Sequence, residues 1–299
     1  MADAAEPMLG DDQDDGRLRI VASLDGVRHI ALIDYGPYDG DPVLVFHGAA
    51  AGRRLPAELR DGMIAAGLRP IVIQRPGFGL TDPATGDYAA TGAADMAAVI
   101  ERLRLRRVRM LARDTGIPVA LAFARAYPEL LGRSVLLNPH EPVSVSDSRV
   151  NFAASVQRNL LSNPDLVAAF AEFLRRQVTT RLLDRILDRA FSELEPDARA
   201  LNDPDVRTFL IRDIQALCAR SARGFAAEHG TYAHGWTPPL GLVEGAGWTV
   251  AISGTLPPSR DDVWDVLPGR RVVRLAGAGL LLQFTHAQAL AALMVADPG

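Results

Sequence analysis

Short apolar segments alternate with helical patterns along much of this chain of 299 residues. Runs such as VLVFHG (43–48) and PIVIQRPG (70–77) have the length and continuous apolar character of strands that are buried on both faces of a sheet. The pattern continues as helix, strand, helix and strand over residues 92–104, 108–112, 115–127 and 134–138. Because strands joined by helices form parallel sheets with right-handed crossovers, the alternation predicts an α/β fold with a mostly parallel sheet.

The N-terminal part of the chain predicts an antiparallel addition to this sheet. LRIVASL (18–24) and VRHIALIDYG (27–36) have strand character, and Asp25-Gly26 between them is a dipeptide typical of hairpin turns. A hairpin that leads into parallel strands makes the expected sheet a mixed one.

A long helical segment interrupts the alternation. Between residues 142 and 225 no strand pattern occurs and helical patterns follow one another. Strands resume at 248–254 and 271–277, with a helix near 259–267 between them and a last helix from Thr285. The predicted division is a disordered acidic tail, a core in two pieces and a helical cap, at residues 1–16, 17–141 with 226–299, and 142–225.

Composition excludes several classes of function. The net charge is -4, and no basic stripe suggests nucleic acid as a partner. All basic residues are arginines, so a lysine Schiff base or a lysine general base is excluded. No apolar run has membrane-spanning length and the N-terminus lacks the order of a signal peptide, so we expect a cytoplasmic protein that does not bind a membrane. No metal-ligand spacing, P-loop or dinucleotide pattern occurs, so no metal and no cofactor are expected.

The turn in LARDTG (111–116) carries the most informative polar residue. Asp114 stands where a strand ends and a helix begins, and free N–H groups and the helix dipole favour an anion there. An aspartate at this place is either a helix cap or a reactive carboxylate.

Five features in order resemble the α/β-hydrolase superfamily, over nearly the whole chain. They are FHGAA (46–50), QRPGFGLTD (74–82), LARDTG (111–116), the helical insertion (142–225) and LAGAGLLLQFTHAQAL (275–290). The resemblance implies an α/β-hydrolase fold with Asp114 at the nucleophile position and the N–H groups of Ala49 and Thr115 in the oxyanion hole. In haloalkane dehalogenases and epoxide hydrolases of the superfamily, an aspartate at this position forms an ester, which a histidine-activated water then cleaves.

The chain departs from the family pattern at the other two members of the triad. Leu280 follows GAG (277–279), at the place where the resemblance implies the catalytic histidine. Leu256 and Pro257 stand where the acid after the seventh strand is expected, and Asn138 stands near the alternative place after the sixth. The sequence therefore predicts a degenerate triad, in which Asp114 is the charged member that remains.

Several residues are candidates to act with Asp114. In LLNPHEP (136–142), His140 and Glu141 follow a strand end, where α/β sheets bind ligands; His140 is predicted either to exchange protons with Asp114 or to form a hinge into the cap. His47 is expected mainly to support the turn FHGAA (46–50), which the resemblance places at the oxyanion hole. Arg75 is expected mainly to stabilise its own loop. The residues predicted to contact substrate are His47, Gly48, Glu141, His234, Trp236 and Leu280.

Three functions remain open from the sequence. The preferred hypothesis is an enzyme with a degenerate triad that performs cyclisation, elimination or isomerisation through acid/base chemistry of Asp114. The first alternative is an aspartate-nucleophile hydrolase, of the epoxide hydrolase or dehalogenase type, with an unrecognised base such as His140 or His286. The second is a non-catalytic ligand-binding protein. The many apolar side chains of the cap predict an apolar small molecule as substrate.

Overall fold

The computed structural model describes most of the core and part of the cap. The described residues are 16–48, 53–139, 180–191, 194–218, 223–233, 247–255 and 266–296, together with 169, 172, 176, 220–221, 241–242 and 264. The predicted tail before Gly16 lies outside them, as does most of the helix predicted near 259–267.

The core is one eight-stranded mixed sheet. The strands are β1 Arg17–Ala22, β2 His29–Asp34, β3 Asp41–Phe46, β4 Leu68–Ile73, β5 Val108–Arg113, β6 Leu131–Leu137, β7 Trp248–Ser253 and β8 Arg271–Leu275. Their order across the sheet is β1-β2-β4-β3-β5-β6-β7-β8. β1 and β2 pair antiparallel, β2 also runs antiparallel to β4, and all later pairs are parallel. The predicted α/β-hydrolase fold, with an N-terminal antiparallel hairpin on a mostly parallel sheet, is confirmed.

The hairpin turn is longer than the sequence predicted. β1 ends at Ala22 and β2 begins at His29, so the connection has six residues instead of the two of Asp25-Gly26. The Asp25 carboxylate accepts hydrogen bonds from the Ser23 hydroxyl at 2.5 Å and from the Val27 N–H at 3.1 Å. These side-chain bonds close the loop locally, as short polar side chains often do in turns, and they shorten both strands.

Helices cover both faces of the sheet. The described helices of the core are α1 Ala57–Ala65, α2 Tyr88–Arg102 and α3 Ile117–Ala126, followed near the end of the chain by α8 Leu282–Thr285 and α9 Ala287–Val295. Successive β3 side chains point to opposite faces, so Leu44 and Phe46 pack in the cluster that includes α2 and α3, while Val43 and Val45 pack in the cluster that includes α1 and α9. The single helix predicted from Thr285 is divided at His286.

Three described helices lie in the predicted cap, and a fourth crosses its predicted boundary. They are α4 Thr180–Phe191, α5 Glu195–Leu201, α6 Pro204–Cys218 and α7 Arg223–Ala233. Apolar side chains of α4, α5 and α6 form their own cluster, which also includes Leu281 of the core: Leu183, Leu187, Leu201, Leu210, Ile211 and Ile214. The predicted boundary at residue 225 falls inside α7, and the division into core and cap stays a prediction.

The topology brings the polar turns of the core to one edge. Because β3, β5, β6, β7 and β8 are parallel, their carboxyl ends lie at the same edge of the sheet. Ligands of open α/β sheets bind at this edge. It carries the turns that contain His47, Asp114, Asn138, Thr255 and Leu280.

Candidate active site

Asp114 occupies a strained turn between β5 and α3. Its φ is 46°, and its side chain is buried. Few aspartates adopt this left-handed conformation, which persists only where the surroundings enforce it. A short 3-10 turn, Asp114–Gly116, leads from the strand into α3. The backbone therefore places Asp114 at the edge of the sheet where the parallel strands have their carboxyl ends.

Two glycines allow the turn after β3 to approach the turn that contains Asp114, the Asp114 elbow. A Cβ on Gly48 would overlap the carboxylate and Cβ of Asp114. A Cβ on Gly116 would lie 2.8 Å from the carbonyl oxygen of His47, closer than a real Cβ comes to such an atom. The predicted site residues His47, Gly48, Asp114 and Thr115 are thus neighbours in the structure.

Arg113 forms a buried ion pair with Asp114. The Arg113 Nε donates to the Asp114 Oδ2 at 2.6 Å, and the two side chains are only 10% and 12% exposed. The guanidinium compensates the negative charge of the carboxylate and fixes its orientation. Arg113 was not among the predicted site residues, although a charged residue directly before Asp114 is a signal that could have drawn attention to it.

His47 is buried beside two arginines. Burial lowers the pKa of the His47 imidazole to about 3, and the positive charges of Arg113 and then Arg75 act in the same direction. The imidazole is therefore neutral at physiological pH. Its Nε2 atom is buried and has no hydrogen-bond partner in the described part of the chain.

Arg75 holds the turn that contains His47. Its Nη1 donates to the carbonyl oxygen of His47, and its Nη2 donates to that of Gly48 at 3.1 Å. Its Nε donates to the Glu228 Oε2 of α7 at 2.6 Å, and Tyr88 donates to the same oxygen at 3.1 Å. Burial lowers the pKa of the Arg75 guanidinium, but the charges of Glu228 and Tyr88 and the hydrogen bonds to them together outweigh burial and raise it. Arg75 therefore joins the turn after β3 to α7.

The loop after β8 is held by a buried carboxylate. The Asp197 Oδ2 of α5 accepts the Leu280 N–H at 2.7 Å, and its Oδ1 accepts the Leu281 N–H at 2.8 Å. Asp197 is fully buried, and its carboxylate lies so close to Gly279 that a Cβ there would overlap it. The segment that contains Leu280 is thus held against α5. No pattern near Leu280 in the sequence points to Asp197.

Asn138 links strand ends and does not act as an acid. Its backbone also has a positive φ, 39°. Its Oδ1 accepts the Ser253 N–H at 2.7 Å, and its Nδ2 donates to the Gly279 carbonyl at 3.4 Å. After β7, the Thr255 hydroxyl donates to the Ala278 carbonyl at 2.8 Å. Leu256 and Pro257, at the expected acid position, lie outside the described residues.

His286 uses both ring nitrogens locally. Its Nδ1 is 2.9 Å from the Thr285 hydroxyl and its Nε2 is 3.1 Å from the Ala276 carbonyl. In this arrangement the imidazole fastens the start of α9 to the loop after β8. Both ring nitrogens of His286 therefore have local partners. The other predicted site residues lie outside the described part of the chain: Ala49, His140, Glu141, His234 and Trp236.

The described residues contain neither a metal-binding group nor a membrane-spanning helix. Among those that the structure describes, no group of three histidine, cysteine, aspartate or glutamate side chains is placed to hold a metal ion. Within the same ranges no helix combines the length and the apolar character that crossing a bilayer requires.

Comparison with known proteins identifies the family. The sequence profile of the alpha/beta hydrolase fold family matches residues 41–229, which is more than half of the chain. The chain belongs to this family.

Relatives in the family have several activities. A non-heme chloroperoxidase from Streptomyces lividans is 37% identical over 131 residues, which are 42% of this chain and 46% of the relative. A haloalkane dehalogenase from Psychrobacter cryohalolentis is 29% identical over 143 residues, 47% of this chain and 44% of the relative. The matched part of the chain thus spans less than half the length of these curated relatives. Because these relatives are enzymes, they support the prediction that this protein is an enzyme.

Solved structures agree on the fold. A thermophilic esterase from Thermogutta terrifontis superposes with a TM-score of 0.67 at 22% identity, over 92% of this chain and 96% of the esterase. Epoxide hydrolase A from Mycobacterium thermoresistibile gives a TM-score of 0.65 at 17% identity, over 93% and 98% of the two chains. At these identities the likeness establishes the architecture alone.

Proposed function

We propose that this protein is an α/β-hydrolase-fold enzyme in which Asp114 transfers protons to and from a small, mainly apolar molecule without hydrolysing it. Cyclisation, elimination and isomerisation are the reaction types that such a carboxylate can serve. In each, the carboxylate accepts a proton from carbon or oxygen and returns it at another atom, so the enzyme is regenerated without water entering the product.

The observation that carries this proposal is the anchoring of Leu280. Hydrolysis through an ester on Asp114 requires a base that activates water, and the family supplies it from this loop. Here Leu280 stands at that place, and Asp197 accepts the N–H groups of Leu280 and Leu281. His286, the nearest histidine downstream, bonds Thr285 and Ala276 with its two ring nitrogens. An ester formed on Asp114 would therefore lack the usual route of cleavage.

The surroundings of Asp114 suit proton transfer. The carboxylate is buried, so water competes little for it, and the Arg113 guanidinium orients it at 2.6 Å. His140 remains the proposed second proton-transfer group, and Ala49 and Thr115 remain the proposed oxyanion donors. The proposed substrate contacts are His47, Gly48, Glu141, His234, Trp236 and Leu280.

A second candidate is hydrolysis with Asp114 as nucleophile. The strained φ of 46° at Asp114 is the observation that favours it, because such a turn exposes a nucleophile at a sheet edge. One relative is a haloalkane dehalogenase, and similar folds occur in epoxide hydrolases. This candidate requires a base outside the loop after β8, for which His140 is the proposed residue.

Hydrogen exchange on carbon acids tests proton transfer directly. A panel of ketones, including acetophenone and cyclohexanone, is incubated with the enzyme in D2O, and loss of the α-proton signals is followed by NMR. We expect the wild type to accelerate exchange for at least one ketone and Asp114→Asn to lose the acceleration. Arg109→Lys is the control, because Arg109 bonds Asp41 and the Met294 carbonyl at the opposite end of β5. Equal exchange by the wild type and Asp114→Asn would overturn the proposal.

A further inference from the structure

Three buried polar atoms around the Asp114 elbow have unused hydrogen-bonding capacity. Arg113 Nη1, His47 Nε2 and Thr115 Oγ1 are each buried and have no partner among the residues that the structure describes. The three residues are only 8%, 6% and 8% exposed. Buried polar groups in proteins are nearly always paired, and those that are not often belong to a functional site. Three such atoms in two neighbouring turns therefore indicate a binding site for a polar group of a ligand.

Arg113 is the strongest donor of the three. Its Nε is committed to the Asp114 carboxylate at 2.6 Å, while Nη1 of the same rigid guanidinium remains to bind another oxygen. A group bound at Nη1 is thereby held by the same guanidinium that pairs with the Asp114 carboxylate. The planar fork of arginine fixes this geometry, whereas a lysine ammonium would not.

The charges of the buried side chains indicate whether the ligand oxygen is neutral or anionic. Arg113 is compensated by Asp114, and Arg75 is compensated by Glu228 at 2.6 Å. His47 is neutral, so these buried groups sum to zero charge. A carboxylate ligand would add an uncompensated negative charge to a buried site, which is strongly unfavourable. A neutral carbonyl oxygen would accept the Arg113 hydrogen bond without changing the balance.

We infer that the substrate carries a neutral carbonyl group whose oxygen is bound by Arg113 Nη1, beside the carboxylate of Asp114. This inference rests on the proposed function and names its substrate class: ketones, enones, esters or lactones on an otherwise apolar skeleton. The proposed step moves a proton to Asp114 and electrons toward the carbonyl oxygen. Asp114 takes the proton on the carbon next to the carbonyl, the C–H electron pair forms the C=C bond, and the carbonyl π pair moves to the oxygen. Arg113 then stabilises the enolate oxygen until a proton returns to carbon.

The infrared spectrum of a bound carbonyl tests this contact independently of activity. Acetophenone labelled with 13C at the carbonyl is the probe, because a hydrogen bond from a cationic donor lowers the C=O stretching frequency. We expect a lowered frequency in the wild type and its loss in both Arg113→Gln and Arg113→Lys. Arg113→Lys retains a positive charge beside Asp114, so it guards against the failure of Arg113→Gln to fold. Arg109→Lys, on the same strand, should keep the wild-type frequency.

Affinities supply the second arm of the test. Because a hydrogen bond from a charged donor stabilises a complex substantially, we expect acetophenone to bind about tenfold or more tightly than ethylbenzene. Benzoate should bind more weakly than acetophenone. An unshifted carbonyl band in the wild type, an equal shift in Arg113→Lys, or tighter binding of benzoate would each overturn the inference.

The two proposals fail separately. A shifted band that depends on Arg113, together with no proton exchange in D2O, would refute proton transfer and leave the carbonyl contact standing. Exchange that depends on Asp114 but is unchanged in Arg113→Lys would refute the carbonyl contact and leave proton transfer standing.

Discussion

Asp197 of α5 holds the loop after β8 at Leu280, the position where the sequence resemblance implies a catalytic histidine. The Asp197 carboxylate accepts the Leu280 N–H at 2.7 Å and the Leu281 N–H at 2.8 Å. Leu281 also belongs to the apolar cluster formed by α4, α5 and α6. Polar and apolar contacts therefore hold the loop after β8 against α4, α5 and α6.

Replacing Asp197 with asparagine should destabilise the protein. The amide keeps one acceptor oxygen but brings an NH2 group toward an N–H donor, leaving a buried donor without a partner. Such a loss costs about 1–3 kcal/mol in the free energy of unfolding. The measurement is urea unfolding of Asp197→Asn, with Asp205→Asn as the matched control, because Asp205 is an exposed residue of α6. Equal stability of the two variants would show that the bonds to Leu280 and Leu281 contribute little.

Replacing Glu228 with glutamine should destabilise the protein more than the same change on the surface. The change leaves the Arg75 guanidinium, 2% exposed, without its counter-charge. Removing one partner of a buried ion pair costs about 3–5 kcal/mol, whereas an exposed pair contributes about 0–1 kcal/mol. Glu101→Gln, which removes an exposed pair with Arg102, is the control. If both variants unfold at the same urea concentration, the buried pair of Arg75 and Glu228 contributes no more to the free energy of unfolding than the exposed pair does.

Acid should destabilise the protein partly through His47. Its folded pKa, about 3, lies below the ordinary value of 6.5, so between these values the unfolded chain binds a proton that the folded chain does not. Stability therefore falls as pH drops through this window, by up to about 1.4 kcal/mol per pH unit from this group. His47→Gln should show a shallower decrease in unfolding free energy between pH 6.5 and pH 4. Parallel pH profiles for the variant and the wild type would contradict the neutral, buried imidazole.

Adding a methyl group at Gly48 should disturb the site. The Cβ of Gly48→Ala would overlap the Asp114 carboxylate, so the turn after β3 or the elbow must move. Overpacking of this kind costs about 1–3 kcal/mol. Gly86→Ala is the control, since a Cβ there meets nothing within 4 Å. We expect a lower melting temperature and a lost carbonyl band shift for Gly48→Ala alone.

The sequence predicted features that depend on local patterns. Apolar runs located the parallel strands, and the strand-turn-helix pattern placed Asp114 at the carboxyl edge of β5. The predicted two-residue hairpin connection was wrong, because the Asp25 side chain binds Ser23 and Val27 in a longer loop. Strand propensity does not predict such hydrogen bonds. Arg113 was within reach of sequence analysis, since its partner is the next residue.

Other parts of the site depend on contacts between distant segments. Asp197 precedes Leu280 by 83 residues, and Arg75 precedes Glu228 by 153. No periodicity or motif links such pairs, because the contact exists only after the cap has packed on the sheet. The apolar side chains of the cap illustrate the same difficulty. Six of them pack against one another and Leu281, so their number in the sequence did not measure how apolar the ligand is.

The central claim is that Asp114 has lost the hydrolytic half of its family's chemistry. The most direct measurement is the mass of the peptide containing Asp114 after incubation with 1,2-epoxyhexane or 1-bromohexane in H2(18)O, together with assay of diol or alcohol. The account predicts no sustained product and no 18O in the Asp114 carboxylate, whether or not a single stable adduct forms. Continuous release of diol or alcohol with 18O entering Asp114 would contradict it and establish a working hydrolase.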